Sequence, residues 1–415
     1  MKILAPYAYF APEQAASSYL WQNLHEDFAK ADMDCVVYVP TPTRGITPET
    51  RKEYKQKYAV EKTHDDKLTI IRFPLYGEGK NPLARAMRYF LSCGIQFCKC
   101  MWGREAKDCN VMFIASTPPI LGLVGAYISK FRGIPFVYNL QDIFPDSLVG
   151  TGLSHKGSLL WKIGRKIEDK IYKHADKIIV ISEDFKKNIM AKGVPEDKIA
   201  VVYNWVDQNA VVNVERSENK LIGKYGIDPS KFYVEYSGNI GLTQNMDMLL
   251  EVMKELKDSH PGIGLILVGE GAYKKQVEEI VKRDSLDNVI MLPFQDYADI
   301  SHVFSLGDVG IIISKPGVGS NSVPSKTWSI MSASRPVLAN FDENEIKSIL
   351  SDNNCGIFTK AGDKEAFKNA IIKLYENRDL CKEYGRNGRQ FIMQNLTREV
   401  GTQKYVDVIK SVVKG

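Results

Sequence analysis

The sequence lacks the marks of most specialised protein classes. No apolar run reaches the roughly twenty residues needed to span a bilayer. The seven cysteines are odd in number and give no Cys-x2-Cys pair matched by a second one, although Cys93, Cys98, Cys100 and Cys109 cluster. The six histidines do not fall at zinc-ligand spacing. A disulfide framework and a zinc module are thereby set aside, and reduced thiols in a cytoplasmic protein are expected. The formal net charge of +5 is far short of a nucleic-acid signature. It suits anionic ligands or a membrane surface. The first ten residues are too short and too early in their apolar run for a signal peptide and read as a first strand. There is no internal repeat, no low-complexity tract, and no Asp-x-Asp after a strand to hold a metal-bound diphosphate.

What is present is a chain of 415 residues, 44% hydrophobic and 25% charged, which suggests two or three globular domains. Strand-like runs alternate with helical periodicity, as at Leu20, Trp21, Leu24 and Phe28. One series of strands is read at 2–7, 35–39, 68–73, 110–115, 136–140, 177–181 and 199–203. A second is read at 233–237, 264–268, 289–292, 309–313, 337–339 and 356–359. Two α/β series imply two Rossmann-like domains. We expect an N-terminal, acceptor-binding domain over 1–207 and a C-terminal, nucleotide-sugar-binding domain over 208–396. A polar stretch at 204–219 reads as the join. A last helix within 397–415 is expected to cross back to the first domain. Ligands of open α/β sheets bind beyond the carboxyl ends of strands, so the motifs that matter should directly follow strands.

Several do. Residues 315–340 run as a Gly- and Pro-punctuated loop, the helical segment Lys326-Thr-Trp-Ser-Ile-Met-Ser332, an Arg335-Pro336 stop and a strand. That is one βαβ unit whose loop faces a helix N-terminus, and Lys326 adds a full charge suited to an anion. A lysine there opposes the helix dipole unless an anion accompanies it; a solvated helix-start lysine is the plain alternative. Gly238-Asn-Ile-Gly241 follows another strand and permits close backbone approach to a ligand, or simply makes the turn. Leu267-Val-Gly-Glu-Gly271, Leu292-Pro-Phe-Gln-Asp296, Tyr9-Phe-Ala-Pro-Glu-Gln-Ala-Ala16 and Tyr138-Asn-Leu-Gln-Asp-Ile-Phe-Pro-Asp146 also follow strands.

Taken together these segments resemble family 4 of the retaining glycosyltransferases over nearly the whole chain. The resemblance implies the GT-B fold: α/β, two Rossmann-like domains facing a central cleft. It also implies transfer of a sugar from a nucleotide donor. The Val-Pro-Ser-Lys sequence resembles a sub-branch of amino-sugar transferases of the WbuB type. By this resemblance Gly238, Asn239, Gln244, Glu270, Phe294, Gln295, Ser322, Ser325 and Ser329 are donor contacts, with Phe294 and Gln295 beside the base. Glu13, Ala15, Ala16 and Gln141 would serve the acceptor, and Asp142 and Lys326 carry the catalytic roles. Asp142 would bind the acceptor or transferred sugar, or polarise the attacking hydroxyl; a structural N-cap is its plain alternative.

The chain departs from the family in ways that bear on function. The usual Arg and Lys on the diphosphate are replaced by Asn239 and Gln244. The two family glutamates fall at Asn321 and Ser329, and Ala15 and Ala16 stand where glycines are usual. Lys326 would then neutralise the diphosphate without a metal. The expected reaction moves an N-acetylated amino sugar from a UDP-sugar, as substrate with no cofactor, to a glycan or polyprenyl-diphosphate-linked acceptor in surface polysaccharide assembly. Residues 83–107 mix basic side chains (Arg85, Arg88, Lys99, Arg104, Lys107) with Phe90, Trp102 and other apolar ones. They read either as a membrane-surface helix, giving a peripheral protein at the inner membrane face, or as a core helix with snorkelling ends. Two rival readings remain: a UDP-sugar 2-epimerase of the same fold, and a non-catalytic sugar-nucleotide-binding partner.

Overall fold

The computed structural model describes residues 1–13, 18–79, 81–150, 155–319 and 324–413. Ala15, Ala16, Asn321 and Ser322 lie outside the described residues. The chain forms two compact units: Met1–Tyr203 with Gly401–Gly415, and Asn204–Val400.

The first unit is built on eight strands: β1 (Lys2–Pro6), β2 (Asp34–Pro40), β3 (Val60–Thr63), β4 (Leu68–Phe73), β5 (Val111–Ala115), β6 (Phe136–Leu140), β7 (Lys177–Val180) and β8 (Ile199–Val201). Their order is β3-β4-β2-β1-β5-β6-β7-β8, and every pairing is parallel except β3 with β4. The central strands are short apolar runs such as Val-Met-Phe-Ile-Ala, buried throughout, as helices on both faces of a parallel sheet require. The sequence reading did not include β3. Its residues, Val-Glu-Lys-Thr, are exposed or half-exposed at the sheet edge, so no apolar pattern marks them.

The second unit has six strands: β9 (Phe232–Ser237), β10 (Ile263–Val268), β11 (Val289–Leu292), β12 (Val309–Ile313), β13 (Val337–Phe341) and β14 (Gly356–Lys360). All pairings in it are parallel, in the order β11-β10-β9-β12-β13-β14. The strand order reverses between β9 and β12, the switch point at which open sheets bind ligands. The helix Lys326–Ser332 links β12 to β13, with the bounds its sequence suggests. The stretch 204–219 is less exposed than its polarity suggests: Trp205, Val206 and Val211 are all buried.

Arg389 fixes this stretch to the rest of the second unit. Its guanidinium donates to the carbonyl oxygens of Gln208 (3.0 Å), Val211 (3.1 Å) and Ser332 (2.9 Å), and to the Ser332 hydroxyl (2.7 Å). Arg389→Ala would leave these acceptors short of a donor. At about 1 kcal/mol per hydrogen bond, and more when one partner is charged, the variant should lose about 2–4 kcal/mol of stability. Urea unfolding checks this; an unchanged midpoint would mean that packing alone holds the stretch.

Candidate active site

The exits of β9 and β10 interlock backbone against backbone. Gly238 and Gly269 take φ values of +137° and +146°, accessible in practice only to glycine. A Cβ on Gly269 would lie 2.0 Å from the Gly238 carbonyl oxygen, so no side chain fits. Gly238 N–H donates to Val268 O at 2.9 Å, and Ile240 N–H to Glu270 O at 2.9 Å. The loop then turns on Gln244, whose Oε1 accepts from Gly241 N–H at 3.0 Å. Lys315 N–H donates to Thr243 O at 2.8 Å, tying this loop to the exit of β12.

Between these exits lies a cavity of about 170 Å³ whose lining includes Gln244, Ser314, Pro324, Lys326 and Phe341. The Lys326 side chain folds inward. Its Nζ lies 3.8 Å from the centre of the Tyr236 ring and would be 2.9 Å from a Cβ on Gly238. A solvated helix-start lysine is therefore not what the structure contains. Burial pulls its pKa down to about 8, and the carboxylate of Glu235 acts against that pull. Glu235 is 1% exposed in the middle of β9. Burial raises its pKa to about 7, opposed by the Ser237 hydroxyl that donates to it and by the charges of Lys326 and Arg335. Sequence reasoning missed this acid, although a lone Glu within Phe-Tyr-Val-Glu-Tyr-Ser is a signal. It also missed Ser314, whose buried hydroxyl has no hydrogen-bond partner among the described residues and lies on the cavity wall.

The other expected donor residues are placed variously. Ser325 precedes the Lys326 helix, exposed, and its side chain makes no capping bond. Ser329 is half-buried on the same helix. Asn239 is exposed, and its carbonyl accepts from the Tyr236 hydroxyl at 2.7 Å. Glu270 points to solvent and pairs with Lys274 at 2.6 Å. Phe294 is 73% exposed, while Gln295 donates to the Tyr225 hydroxyl at 3.0 Å and to Pro293 O at 2.7 Å. Lys326, Gly238 and Gln244 thus come together, whereas Phe294 and Gln295 follow β11 at the sheet edge.

In the first unit Glu13 is buried and committed to the backbone. Its Oε1 accepts from Thr43 N–H at 2.7 Å and Arg44 N–H at 3.0 Å, and its Oε2 from Phe10 N–H at 3.3 Å. It ties the exits of β1 and β2 together, which leaves little for an acceptor. Gln141 and Asp142 both donate backbone N–H to the Ser116 hydroxyl, at 3.0 and 3.3 Å. The Gln141 side chain donates to Asn139 Oδ1 at 2.9 Å, which also receives the Tyr405 hydroxyl at 3.2 Å. Asp142 keeps an exposed surface. Surrounding protein nevertheless raises its carboxyl pKa, with the Ser147 hydroxyl and Ile143 N–H pulling the other way.

The stretch 83–107 falls mostly on the helix Pro82–Trp102. Two of its basic residues, Arg85 and Arg88, are engaged within the protein, while Arg104 and Lys107 are exposed. Arg88 is 1% exposed and donates to Tyr76 O at 3.1 Å, and Arg85 pairs with Glu78 at 3.1 Å. The apolar face is what stands out to solvent: Leu83, Met87, Phe90 and Leu91 are 80%, 57%, 59% and 46% exposed. Their spacing puts them in one stripe. Among the described residues no helix is long and apolar enough to cross a membrane, and no three His, Cys, Asp or Glu side chains gather as metal ligands.

Comparison with known proteins agrees with this geometry. The family model for glycosyltransferase family 4 matches residues 20–210, and that for glycosyl transferases group 1 matches residues 217–391. The chain is 22% identical over 310 residues to the "Probable glycosyltransferase WbjE" of Pseudomonas aeruginosa, covering 74% of this chain and 76% of that one. It is 20% identical over 221 residues to the N-acetyl-alpha-D-glucosaminyl L-malate synthase of Bacillus anthracis, covering 53% and 55%. Its fold matches that of Anabaena HepE, crystallised with UDP, at a TM-score of 0.74 over 99% of this chain and 100% of that one, with 16% identity. Two parallel-sheet α/β units, a glycine-built strand exit and the two family models covering successive parts of the chain lead to one conclusion: the protein belongs to the family 4 glycosyltransferases of GT-B fold.

Proposed function

We propose that the protein is a retaining, metal-independent glycosyltransferase that moves an N-acetylated amino sugar from a UDP-sugar to a glycan or polyprenyl-diphosphate-linked acceptor in surface polysaccharide assembly. The observation that carries this reading is the enclosed Lys326 amine beside the Gln244–Ser314 cavity at the switch point of the second unit's sheet. Charge on the leaving diphosphate grows as the glycosidic bond breaks, and a fixed cation in a water-poor site stabilises it far better than one in solvent. Lys326 has that position. Gln244 and Ser314 add neutral hydrogen bonds, Gly238 allows close approach, and the exposed Phe294 offers a face to the base. The departing phosphate would accept the acceptor's proton. In the first unit Asp142 and Gln141 are the acceptor-side groups. The UDP bound by the Anabaena neighbour supports a uridine donor, and the Bacillus relative's N-acetylglucosaminyl transfer supports an amino sugar.

Lys326 sets a pH test. A lysine whose pKa is lowered to about 8 is mostly charged at pH 7 and loses its proton as pH rises through 8. UDP affinity measured by isothermal titration should therefore fall about tenfold between pH 7 and 9. Lys326→Met should bind UDP at least tenfold more weakly at pH 7, the loss of one charge-assisted contact of about 1.5–3 kcal/mol, and should show no such pH dependence. Equal binding by both proteins would remove Lys326 from the donor site. Selectivity for GDP or TDP would overturn the uridine donor but not the transferase.

We further propose that the Leu83–Leu91 stripe rests on the inner face of the plasma membrane, where the acceptor's lipid resides, with the exposed Arg104 and Lys107 meeting anionic headgroups. Flotation with vesicles of one-third phosphatidylglycerol should recover most of the wild type. It should recover little of Met87→Glu/Phe90→Glu, a pair of exposed substitutions that leaves the fold intact. Equal recovery would assign the stripe to another partner.

A further inference from the structure

The second unit carries another cavity at the opposite edge of its sheet. It measures about 370 Å³ and is formed where Asp308 precedes β12, Ser334–Pro336 precede β13 and the helix Arg378–Asn395 begins. That volume falls in the range of small-molecule sites. Four basic side chains line it, Arg335, Arg378, Lys382 and Arg386, against two acids, Glu215 and Asp308.

The acids do not cancel the positive charge. Asp308 is already held by Arg216 at 2.7 Å, by Arg378 at 3.3 Å and by the Tyr233 N–H at 2.8 Å. Arg386 is exposed and has no ion pair or hydrogen bond among the described residues. Among the described residues Lys382 reaches only Asp379, at 4.0 Å, with both groups largely in solvent. Arg335 donates through one nitrogen to Val214 O at 3.2 Å and to Ser305 O at 3.5 Å, while its buried Nε has no acceptor among the described residues. An anion in the cavity would meet the guanidinium groups on its wall, and arginines present the planar fork that suits phosphate oxygens.

We propose that this cavity binds a phosphate monoester, with Arg335, Arg378 and Arg386 on its phosphate. Inorganic phosphate and a phosphorylated sugar share that chemistry. The cavity is distinct from the Lys326 pocket, being at the amino ends of the strands rather than their carboxyl ends, and the proposal does not depend on the donor reading.

The test is isothermal titration of the full chain with inorganic phosphate and, separately, with glucose 1-phosphate, in phosphate-free buffer containing UDP to fill any donor site. The expected result is saturable binding by wild type and by Lys326→Ala, weakened at least tenfold in Arg386→Glu. UDP affinity should be the same in Arg386→Glu as in wild type, which also shows that the exposed substitution leaves the fold intact. Tighter binding of glucose 1-phosphate would assign the site to a sugar phosphate, and equal binding to the phosphate group alone. Absence of saturable binding by either anion, or undiminished binding by Arg386→Glu, would overturn the proposal. Loss of binding in Lys326→Ala would place the anion in the donor pocket and overturn it as well. If UDP itself does not bind, the donor reading fails and the anion titration still decides this one.

Discussion

The enclosed amine of Lys326, within electrostatic reach of the buried carboxyl of Glu235, is the constraint on which the second unit's organisation turns. Two ionisable groups in the interior are tolerated only if each compensates the other or gives up its charge. Their opposed pKa movements, lysine downward and glutamate upward, reflect that cost. Local geometry follows from it. Residue 238, beside that amine, has no side chain because its φ of +137° is open in practice only to glycine. Gly310 lets Ile330 of the Lys326 helix approach β12 closely, since a Cβ there would come within 2.5 Å of Ile330. Trp328 stacks on Phe391, with ring centres 6.4 Å apart, and Arg389 secures Ser332. A seven-residue helix has little intrinsic stability; these contacts make it rigid enough to hold one charge in place.

On the donor reading proposed above, this arrangement would let the chain manage without the family's usual cations. At the exit of β9 the residue that would be a phosphate-binding lysine is Gln244, and its side-chain oxygen closes the turn on Gly241. Asn239 contributes a carbonyl to Tyr236. Both residues shape the loop. The positive charge would come instead from the crossover between β12 and β13, from Lys326, whose amine lies beside Gly238. Moving a cation from a solvated loop to an enclosed position trades electrostatic reach for strength, because the interaction is less screened in a low-dielectric site.

Much of this was legible in the sequence. Short apolar runs bounded by turns marked thirteen of the strands, because parallel strands covered on both faces need such runs. The bounds of the Lys326 helix were legible because Arg335-Pro336 stops it. What escaped had no local signal or a misleading one. The strand β3 is polar and exposed. The stretch 204–219 looks like a linker, yet Trp205 and Val211 are buried by residues far along the chain. Glu13 reads as a ligand-binding acid, but its carboxylate closes three backbone N–H groups from two loops. Side-chain direction decides such roles, and spacing alone does not report it. The same holds for Arg88, which belongs to a basic, aromatic stretch in sequence but is interior in the fold.

Glu235 also joins features that look separate. Its carboxyl feels both Lys326, at the carboxyl edge of the sheet, and Arg335, at the amino edge. The helix between those two residues is seven residues long, about 10 Å at 1.5 Å per residue. Glu235 is thus one of the charges that bear on both cations, although Asp308 bears more strongly on Arg335, and each cation lines a cavity on its own edge of the sheet. An anion bound at either cation would change the field that Glu235 shares with the other. By linkage, any effect of one anion on the affinity of the other must be equal in both directions. The physical basis of that effect would be electrostatic and local, carried by a rigid helix and a single carboxyl group.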